Sequence, residues 1–390
     1  MGRLSQGGRS DPISDAGEAS LDDLAIAAVG RHSPGGWEGV VMFIYWSLFL
    51  VLAVGAFLSR GQESRRLRLP LILFVGLPTA LMIGLRWRIG PDWPAYASIY
   101  KISGLGSFST LAGRDDPGFR ILCWSLQQVH APFWVLNTIC GTIFVTGLLM
   151  FCRRQPNPWL AYLVAFPYLV IVVAMSGDRQ SIALGCLFVA LLLFEDGKLY
   201  RSLALVLFGG LFHASVLLML PLLLLSYAQN GLQRTSLFVL LLVLGVHFFN
   251  DTFATYARRY SAENIQSAGV MYRLAMNTLA ALVYLGWRGW FDLDERSAKL
   301  WLNVSFCTLG LVASLALIPS STAIDRCLLY LFPLQFVVFG RLPRAFAGDR
   351  QLATVLTVGV IGYAAAVQAT FLTYGAFSRF YVPYRSIFDR

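Results

Sequence analysis

The sequence predicts an all-α, polytopic integral membrane protein. Of its 390 residues, 57% are hydrophobic and only 13% are charged, whereas a soluble domain carries roughly a quarter charged residues. Apolar runs recur along the whole chain, and about 17 to 25 such residues are enough to cross a ~30 Å hydrocarbon core as a helix. A chain so poor in charge cannot cover a soluble globular surface.

The apolar runs predict about twelve membrane-spanning helices, several short enough to be tilted or partly re-entrant. The polar residues 1–36, rich in Gly, Ser and Asp, lack the basic start and short apolar core of a signal peptide, so we expect a disordered tail. Residues 37–390 then form a single transmembrane domain. The predicted spans lie at 38–59, 69–85, 132–151, 158–175, 179–194, 200–212, 214–228, 234–250, 273–290, 299–318, 322–340 and 352–373.

Short basic loops predict the orientation, because such loops are retained in the cytoplasm. Both termini and the longer segments 86–131 and 251–272 then lie outside. These outer segments are also rich in arginine, which topology does not require but an anionic substrate would. The loops placed in the cytoplasm are 59–68, 152–158, 195–201, 287–299 and 340–350.

Composition and motifs exclude several kinds of chemistry. The net charge of +10 suits a protein beside anionic lipid headgroups, and no Lys-rich or Arg-rich block indicates a nucleic-acid partner. The six cysteines are scattered without C-x-x-C or metal spacing, so we interpret them as small core residues. Walker, G-x-G-x-x-G, H-E-x-x-H and G-x-S-x-G motifs are missing, and we interpret no segment as a DxD-type nucleotide-sugar site. We therefore expect no cofactor and no metal.

The stretch "GLRWRIGPDWPAYASIY" (84–100) combines charge and aromatic residues where an apolar run ends. A Gly-Pro pair breaks the helix and places Asp92 at the membrane surface, near Arg86 and Arg88. Trp93 and Tyr96 recur at helix-like spacing, which is typical of an interfacial helix or of a sugar-stacking wall. An aromatic belt with snorkelling arginines is the alternative, but it does not account for Asp92.

The stretch "MSGDRQSIALG" (175–185) puts Asp178, Arg179 and Gln180 at the outer mouth of an apolar helix. A helix N-cap at Asp178 is one interpretation. However, a cation at a helix N-terminus is unfavourable unless an anion is near. Arg179 beside free helix N–H groups would make a good diphosphate cradle.

Ionisable residues inside apolar runs are the remaining candidates. His213 lies between two apolar runs, and intramembrane ionisable residues are costly enough to suggest a function; a bond to a backbone carbonyl is the alternative. Asp325 and Arg326 enter another run as a neighbouring pair that could neutralise itself, and Arg273 is a weaker candidate of the same kind. The acidic pair 115–116 is predicted to lie in a loop without partners.

Together these stretches resemble the EpsG family of Wzy-type polysaccharide polymerases, over roughly 40–390. Residues 86–96 resemble the family's R-x-x-x-G-T-D-Y-x-x-Y, with Pro91 in place of Thr and Trp93 in place of Tyr. "DDPGFRIL" (115–122), "DRQSIA" (178–183), "LFHASVLLMLP" (211–221) and the terminal "FYVPYRSIF" (380–388) resemble further family segments in the same order. The resemblance implies a GT-C-like or Wzy-like helical architecture with outer-face loops and short interfacial helices.

The resemblance also implies a glycosyltransferase of the bacterial inner membrane, with its functional segment 86–131 facing the periplasm. Such enzymes join repeat units carried on undecaprenyl diphosphate, so the expected partners are that lipid-linked oligosaccharide, membrane lipid, a chain-length-regulating co-polymerase and a flippase. An O-antigen-ligase-like enzyme and a lipid-linked-oligosaccharide flippase or transporter are the alternatives. The implied catalytic residues are Asp92 and His213; the diphosphate-binding residues are Arg86, Arg88, Arg179, Arg273 and Arg326; the sugar-binding residues are Trp93, Tyr96, Asp178 and Gln180.

Overall fold

The computed structural model describes residues 42–59, 68–113, 115–228, 230–233, 235–236, 239, 269–314 and 321–389. Every secondary-structure element in these ranges is helical, which confirms the predicted all-α class. One isolated antiparallel bridge joins Arg86 to Ser386. The predicted N-terminal tail, most of the predicted span at 234–250 and most of the predicted outer segment 251–272 lie outside the described residues.

Most helices follow the predicted apolar runs, and three more form within the predicted outer segment 86–131, one of them the short helix Phe108–Ala112. Among the described residues, the α-helices of eight residues or more are α1 (Phe43–Leu58), α2 (Leu77–Gly84), α3 (Trp93–Ser103), α4 (Pro117–Gln128), α5 (Phe133–Cys152), α6 (Pro158–Ala165), α7 (Asp178–Glu195), α8 (Leu199–Gly210), α9 (Met219–Tyr227), α10 (Val270–Trp287), α11 (Glu295–Ser314), α12 (Ser321–Leu331), α13 (Pro333–Ala345) and α14 (Arg350–Tyr374).

Prolines change the backbone hydrogen-bond pattern of two helices. Wider π-helical turns occur at Ile72–Gly76 and Phe166–Ala174; the first follows Pro70 and the second contains Pro167. Because proline has no N–H to donate, the hydrogen-bond register changes there. The second π-helical stretch continues α6 and ends just before the loop 175–177, which leads into α7.

The span predicted at 322–340 contains one helix break. The chain forms α12 and α13 there, which meet at Phe332. Pro333 follows directly and cannot donate to the carbonyl four residues earlier, so one continuous helix is disfavoured there. The break lies two residues after Tyr330, which faces the candidate site described below.

The apolar helices indicate a membrane protein. Two of the described helices, α5 and α14, are long and apolar enough to cross a membrane. Five further apolar helices of 10–17 residues lie at Phe43–Leu58, Leu73–Gly84, Pro158–Ala174, Leu199–Gly210 and Ala214–Tyr227. The helix α7 has 18 residues and carries charged side chains at both ends. Large apolar residues on the outside of α1 and α14, such as Leu50 and Val355, are exposed as in a lipid-facing surface.

The centre of the fold is a close contact between α5 and α7. A Cβ added at Gly147 would lie 2.3 Å from the carbonyl oxygen of Gly185, and one added at Gly185 would lie 2.6 Å from that of Ile143. Only glycine allows the two backbones to approach so closely. The α6 helix is buried along its whole length and packs against α1 and α13.

Polar contacts group several connecting loops at one end of the helices. At this end, Arg154 pairs with Asp196 at 2.8 Å, and Arg341 Nε donates to Gln155 Oε1 at 3.1 Å. Arg296 also donates to the carbonyl of Glu195. Four of the loops predicted to be cytoplasmic therefore share one end, which confirms their grouping; the side of the membrane on which they lie stays a prediction.

We expect Gly185→Ala to lower the free energy of unfolding by about 1–3 kcal/mol, because overpacking forces the two backbones apart. The matched control is Gly362→Ala on α14, where an added Cβ meets nothing within 4 Å. Because alanine favours helix over glycine, that change should be neutral or slightly stabilising. The apparent unfolding temperatures of the two detergent-purified variants check this. Equal stability would contradict the close contact.

Candidate functional site

The turn between α2 and α3 requires a glycine at its centre. Gly90 has a φ of 91°, a left-handed conformation that glycine adopts without strain. A Cβ there would lie 2.5 Å from the carbonyl oxygen of Met175, so the turn lies directly against the loop before α7. The Gly90 N–H donates to the carbonyl of Phe380 at 3.0 Å. Sequence segments almost 300 residues apart are thereby joined at this point.

Arg86 and Asp178 form a fully buried ion pair across these two segments. Arg86 Nη2 lies 2.7 Å from Asp178 Oδ1, and the side chains are 1% and 0% exposed. Arg86 Nη1 also donates to the carbonyl of Ile83 at 2.7 Å. The N-cap of α7 is Gly177, so the N-cap interpretation of Asp178 is wrong; its carboxylate pairs with Arg86 instead. Both side chains are buried from solvent. The diphosphate-binding role of Arg86 and the sugar-binding role of Asp178 stay predictions.

The C-terminal segment 375–389 holds the turn in place. The Trp87 N–H donates to the carbonyl of Arg385, and the Ile387 N–H donates to the carbonyl of Leu85, both at 2.9 Å. Tyr384 donates its hydroxyl to the carbonyl of Met82 at 2.9 Å. The terminal Pro-Tyr stretch therefore fixes the end of α2 and the backbone beside Arg86.

Asp92 and Arg88 are exposed on the outer side of this turn. Asp92 Oδ2 accepts a hydrogen bond from Ser176 Oγ at 2.8 Å, which ties the carboxylate to the loop before α7. Arg88 has a φ of 55°, and its guanidinium lies 5.8 Å from the centre of the Trp87 ring. Both charged groups are therefore accessible at the same end of the molecule.

The predicted sugar-binding aromatics make contacts within the protein. Trp93 packs edge-on against Trp87 and Phe133, with ring centroids 5.1 Å and 5.5 Å apart. Tyr96 is only 5% exposed, and its hydroxyl accepts a hydrogen bond from Arg179 Nε at 3.3 Å. Gln180 is half-buried beside Gly177. Sugar binding by these residues stays a prediction, while the observed contact of Tyr96 positions Arg179.

Asp116 pairs with Arg179, which corrects the expectation that the acidic pair 115–116 has no partner. Asp116 Oδ2 lies 2.5 Å from Arg179 Nη1, and the side chains are 11% and 32% exposed. Asp116 is the N-cap of α4 and has a φ of 52°, in the left-handed region. The sequence signal was present in "DDPGF", where Asp-Pro precedes a helix, but nothing in the sequence identified its cation.

His213 lies at the same end, at the start of the 3₁₀ turn Ala214–Leu218. The Gly118 N–H of α4 donates to the carbonyl of Leu211 at 2.8 Å, which joins the segment to α4. Both ring nitrogens are buried without a hydrogen-bond partner in the described part of the chain, so no backbone carbonyl of those residues accepts from the ring, as the alternative interpretation would require. The charges of Asp116, Arg179 and Arg326 act on the ring.

The helix α12 places a further aromatic ring beside His213. The ring of Tyr330 is 6.5 Å from that of His213, and its buried hydroxyl has no partner among the described residues. Asp325 pairs with Arg273, so the interpretation of 325–326 as a self-neutralising neighbour pair is wrong. The guanidinium of Arg273 lies 5.7 Å from the centre of the Tyr168 ring.

Within the described residues, no group of three or more His, Cys, Asp or Glu side chains could hold a metal ion. What the site offers instead is a set of fixed guanidinium groups, exposed carboxylates and an unbonded imidazole. Such a set can bind an anion and accept a proton.

We expect Arg86→Gln to destabilise the protein by about 3–5 kcal/mol, because it leaves the Asp178 carboxylate buried without a cation. The double variant Arg86→Gln/Asp178→Asn should recover part of that loss, because no charge is then buried. Apparent unfolding temperatures in detergent check this, with Arg179→Gln as the partly exposed control, expected to cost about 1 kcal/mol or less. A double variant no more stable than the single variant would be inconsistent with this role of the pair.

A sequence model of the EpsG family matches residues 69–386. The matched range runs from the start of the α2 region to the C-terminal segment, so it contains every candidate site residue described above. No curated protein and no solved structure matches the chain. The resemblance of the separate motifs is confirmed by this match along most of the chain: the protein belongs to the EpsG family of Wzy-like polysaccharide polymerases.

Proposed function

We propose that the protein polymerises oligosaccharide repeat units carried on undecaprenyl diphosphate, as a glycosyltransferase of the bacterial inner membrane. The observation that carries the proposal is the convergence of Asp116, Arg179 and His213, from three distant segments, at one end of the helices. The opposite end carries the basic loops that are retained in the cytoplasm. The convergent end therefore faces the periplasm, and about twelve helices span the membrane.

The proposed reaction is a displacement at an anomeric carbon. A hydroxyl oxygen of one lipid-linked unit forms a bond to the anomeric carbon of another, and the bond from that carbon to the diphosphate oxygen breaks. The electron pair of the broken bond leaves with undecaprenyl diphosphate, and the hydroxyl proton passes to a base on the protein. The protein must thus bind a diphosphate, orient an acceptor and accept a proton.

Arginine can neutralise the leaving diphosphate without a metal ion, because its planar fork binds phosphate oxygens bidentately. Arg179 is best supported for this role, since its guanidinium is oriented by Tyr96 and Asp116 and remains 32% exposed. Arg326 and Arg88 are exposed, and we propose that they complete the diphosphate site. Arg273 is a further member, and Arg86 supports the site through its buried pair with Asp178.

For the base we favour His213 over Asp92. The ring nitrogens of His213 have no hydrogen-bond partner among the described residues and are sheltered from solvent, which suits a group that must accept a proton from a bound hydroxyl. Asp92 is exposed and held by Ser176, so we assign it the orientation of the acceptor. Trp93, Tyr96 and Gln180 would line the path of the acceptor sugar.

Arg179→Ala should abolish polymerisation in a deletion strain while the protein remains stably expressed. Complementation with wild type, Arg179→Ala and the exposed control Arg201→Ala is scored by the length of surface polysaccharide and by the lipid-linked intermediates. We expect wild type and Arg201→Ala to restore long chains, and Arg179→Ala to leave single repeat units on the outer leaflet.

The same strain separates the alternative functions. Single units trapped on the cytoplasmic side would indicate a flippase and overturn the proposal. Normal polymer that is not attached to its final acceptor would indicate a ligase. In a second strain that lacks a co-polymerase, shortened polymer made by the wild-type protein would leave the catalytic assignment intact and identify the chain-length regulator as a separate partner.

His213→Asn should lower the rate of glycosyl transfer by about 10²–10⁴-fold, the usual contribution of a general base. The matched control is His130→Asn, since His130 is exposed in the segment 86–131 and its φ of 53° suits asparagine. Transfer between synthetic lipid-linked units in nanodiscs gives the rates. The wild-type rate should rise with pH as the base loses its proton. Loss of this rise in His213→Asn supports the assignment, whereas its loss in Asp92→Asn instead would reverse the two roles.

A further inference from the structure

Arg179 already has an anionic partner in the absence of substrate. Its Nη1 is 2.5 Å from Asp116 Oδ2, and its Nε donates to the hydroxyl of Tyr96 at 3.3 Å. A diphosphate that binds this guanidinium therefore meets a carboxylate on the same group. The pair is partly exposed, unlike the fully buried pair of Arg86 and Asp178, so a ligand can reach it.

The backbone is arranged to hold the Asp116 carboxylate at this place. Asp116 adopts a left-handed conformation, which is unfavourable for most residues but tolerated by Asp and Asn. Two residues later, the Gly118 N–H donates to the carbonyl of Leu211, which anchors the start of α4 beside His213. Release of the carboxylate from Arg179 would thus leave it close to the imidazole, on which its charge already acts.

We propose that Asp116 is the resident counter-ion of Arg179, and that it competes with the diphosphate so that the lipid diphosphate product can leave. This inference rests on the proposed function. The donor diphosphate is esterified at both ends, whereas the product has a free terminal phosphate with an additional ionisable oxygen. A cluster of unopposed arginines would therefore hold the product more tightly than the donor. A carboxylate that returns to Arg179 counteracts that preference.

A purely orienting role for Asp116 makes the opposite prediction. If the carboxylate only holds the guanidinium in position, its loss should weaken diphosphate binding, as should the loss of the Tyr96 hydroxyl. If it competes, its loss should strengthen binding, while Tyr96→Phe still weakens it. The direction of the change therefore separates the two roles, and a general loss of structure would weaken binding in both variants.

The test measures binding to the full-length protein in nanodiscs by titration calorimetry, with farnesyl diphosphate as the lipid diphosphate and inorganic pyrophosphate as the free anion. Asp116→Asn should bind farnesyl diphosphate at least about tenfold more tightly than wild type, as expected when a charged hydrogen-bond competitor is removed. The same variant should turn over more slowly at saturating substrate, with a lower KM.

The matched control is Asp115→Asn, which removes the same charge one residue earlier. Asp115 is exposed, and its backbone carbonyl accepts from Arg120 Nε. Equal tightening in both variants would reduce the effect to long-range electrostatics and overturn the inference. The inference would also be overturned if Asp116→Asn bound only inorganic pyrophosphate, and not farnesyl diphosphate, more tightly than wild type. Should Asp116→Asn fail to fold, Asp116→Gly removes the carboxylate at a backbone conformation that suits glycine.

The remaining outcomes separate this inference from the proposed function. If Arg179→Ala abolishes binding but Asp116→Asn leaves it unchanged or weakens it, the diphosphate site stands and the competitor role is wrong. If neither wild type nor any variant binds farnesyl diphosphate, the diphosphate site itself is wrong, and both proposals fail together.

Discussion

The buried contact between Arg86 and Asp178 is the constraint on which the outer end of the fold depends. The guanidinium comes from the end of α2 and the carboxylate from the first residue of α7, and neither is accessible to solvent. Because an unpaired charge in such a place is costly, the two segments cannot separate without a large loss of stability. Gly90 then fits directly against the loop before α7, and the C-terminal segment pairs with the adjacent backbone. The position of Asp92 follows from these contacts.

The helix α7 carries this constraint into the rest of the molecule. Its first two residues, Asp178 and Arg179, pair with partners on two different outer segments. At its middle, Gly185 allows the close approach to α5, so α7 cannot slide or rotate without a clash. The direction in which Arg179 points is therefore determined by the packing of the helix core as well as by its immediate neighbours. Such rigid support is what the proposed diphosphate-binding role of Arg179 requires.

The sequence is sufficient to predict the helices and the candidate charged residues, but it does not predict which charged residues from distant segments pair with each other. Apolar runs predict the helices because each run must be buried or face lipid along its own length, and an isolated ionisable residue such as His213 is conspicuous between two such runs. The partner of a charge depends on tertiary structure, so the sequence alone predicts neither the pairing of Asp116 with Arg179 nor that of Asp325 with Arg273. The break at Phe332 has a local signal in Pro333, but proline also occurs inside continuous helices such as α13. Family resemblance identified the segments that converge, while the structure supplied their contacts.

Three Arg–Asp pairs at this end differ mainly in how far they are exposed, and that difference suggests how a charged site is kept in an apolar protein. Each pair joins two distant segments, and each leaves little net charge where hydration is poor. The pair of Arg86 and Asp178 is closed, that of Arg273 and Asp325 is 13% and 25% exposed, and that of Arg179 and Asp116 opens furthest on its arginine side. An incoming diphosphate can replace a carboxylate only where solvent already reaches the guanidinium, because elsewhere it would have to lose its own hydration first. Under the proposed function, graded exposure would let the pair of Arg179 and Asp116 exchange its anion while the fully buried pair keeps the scaffold intact.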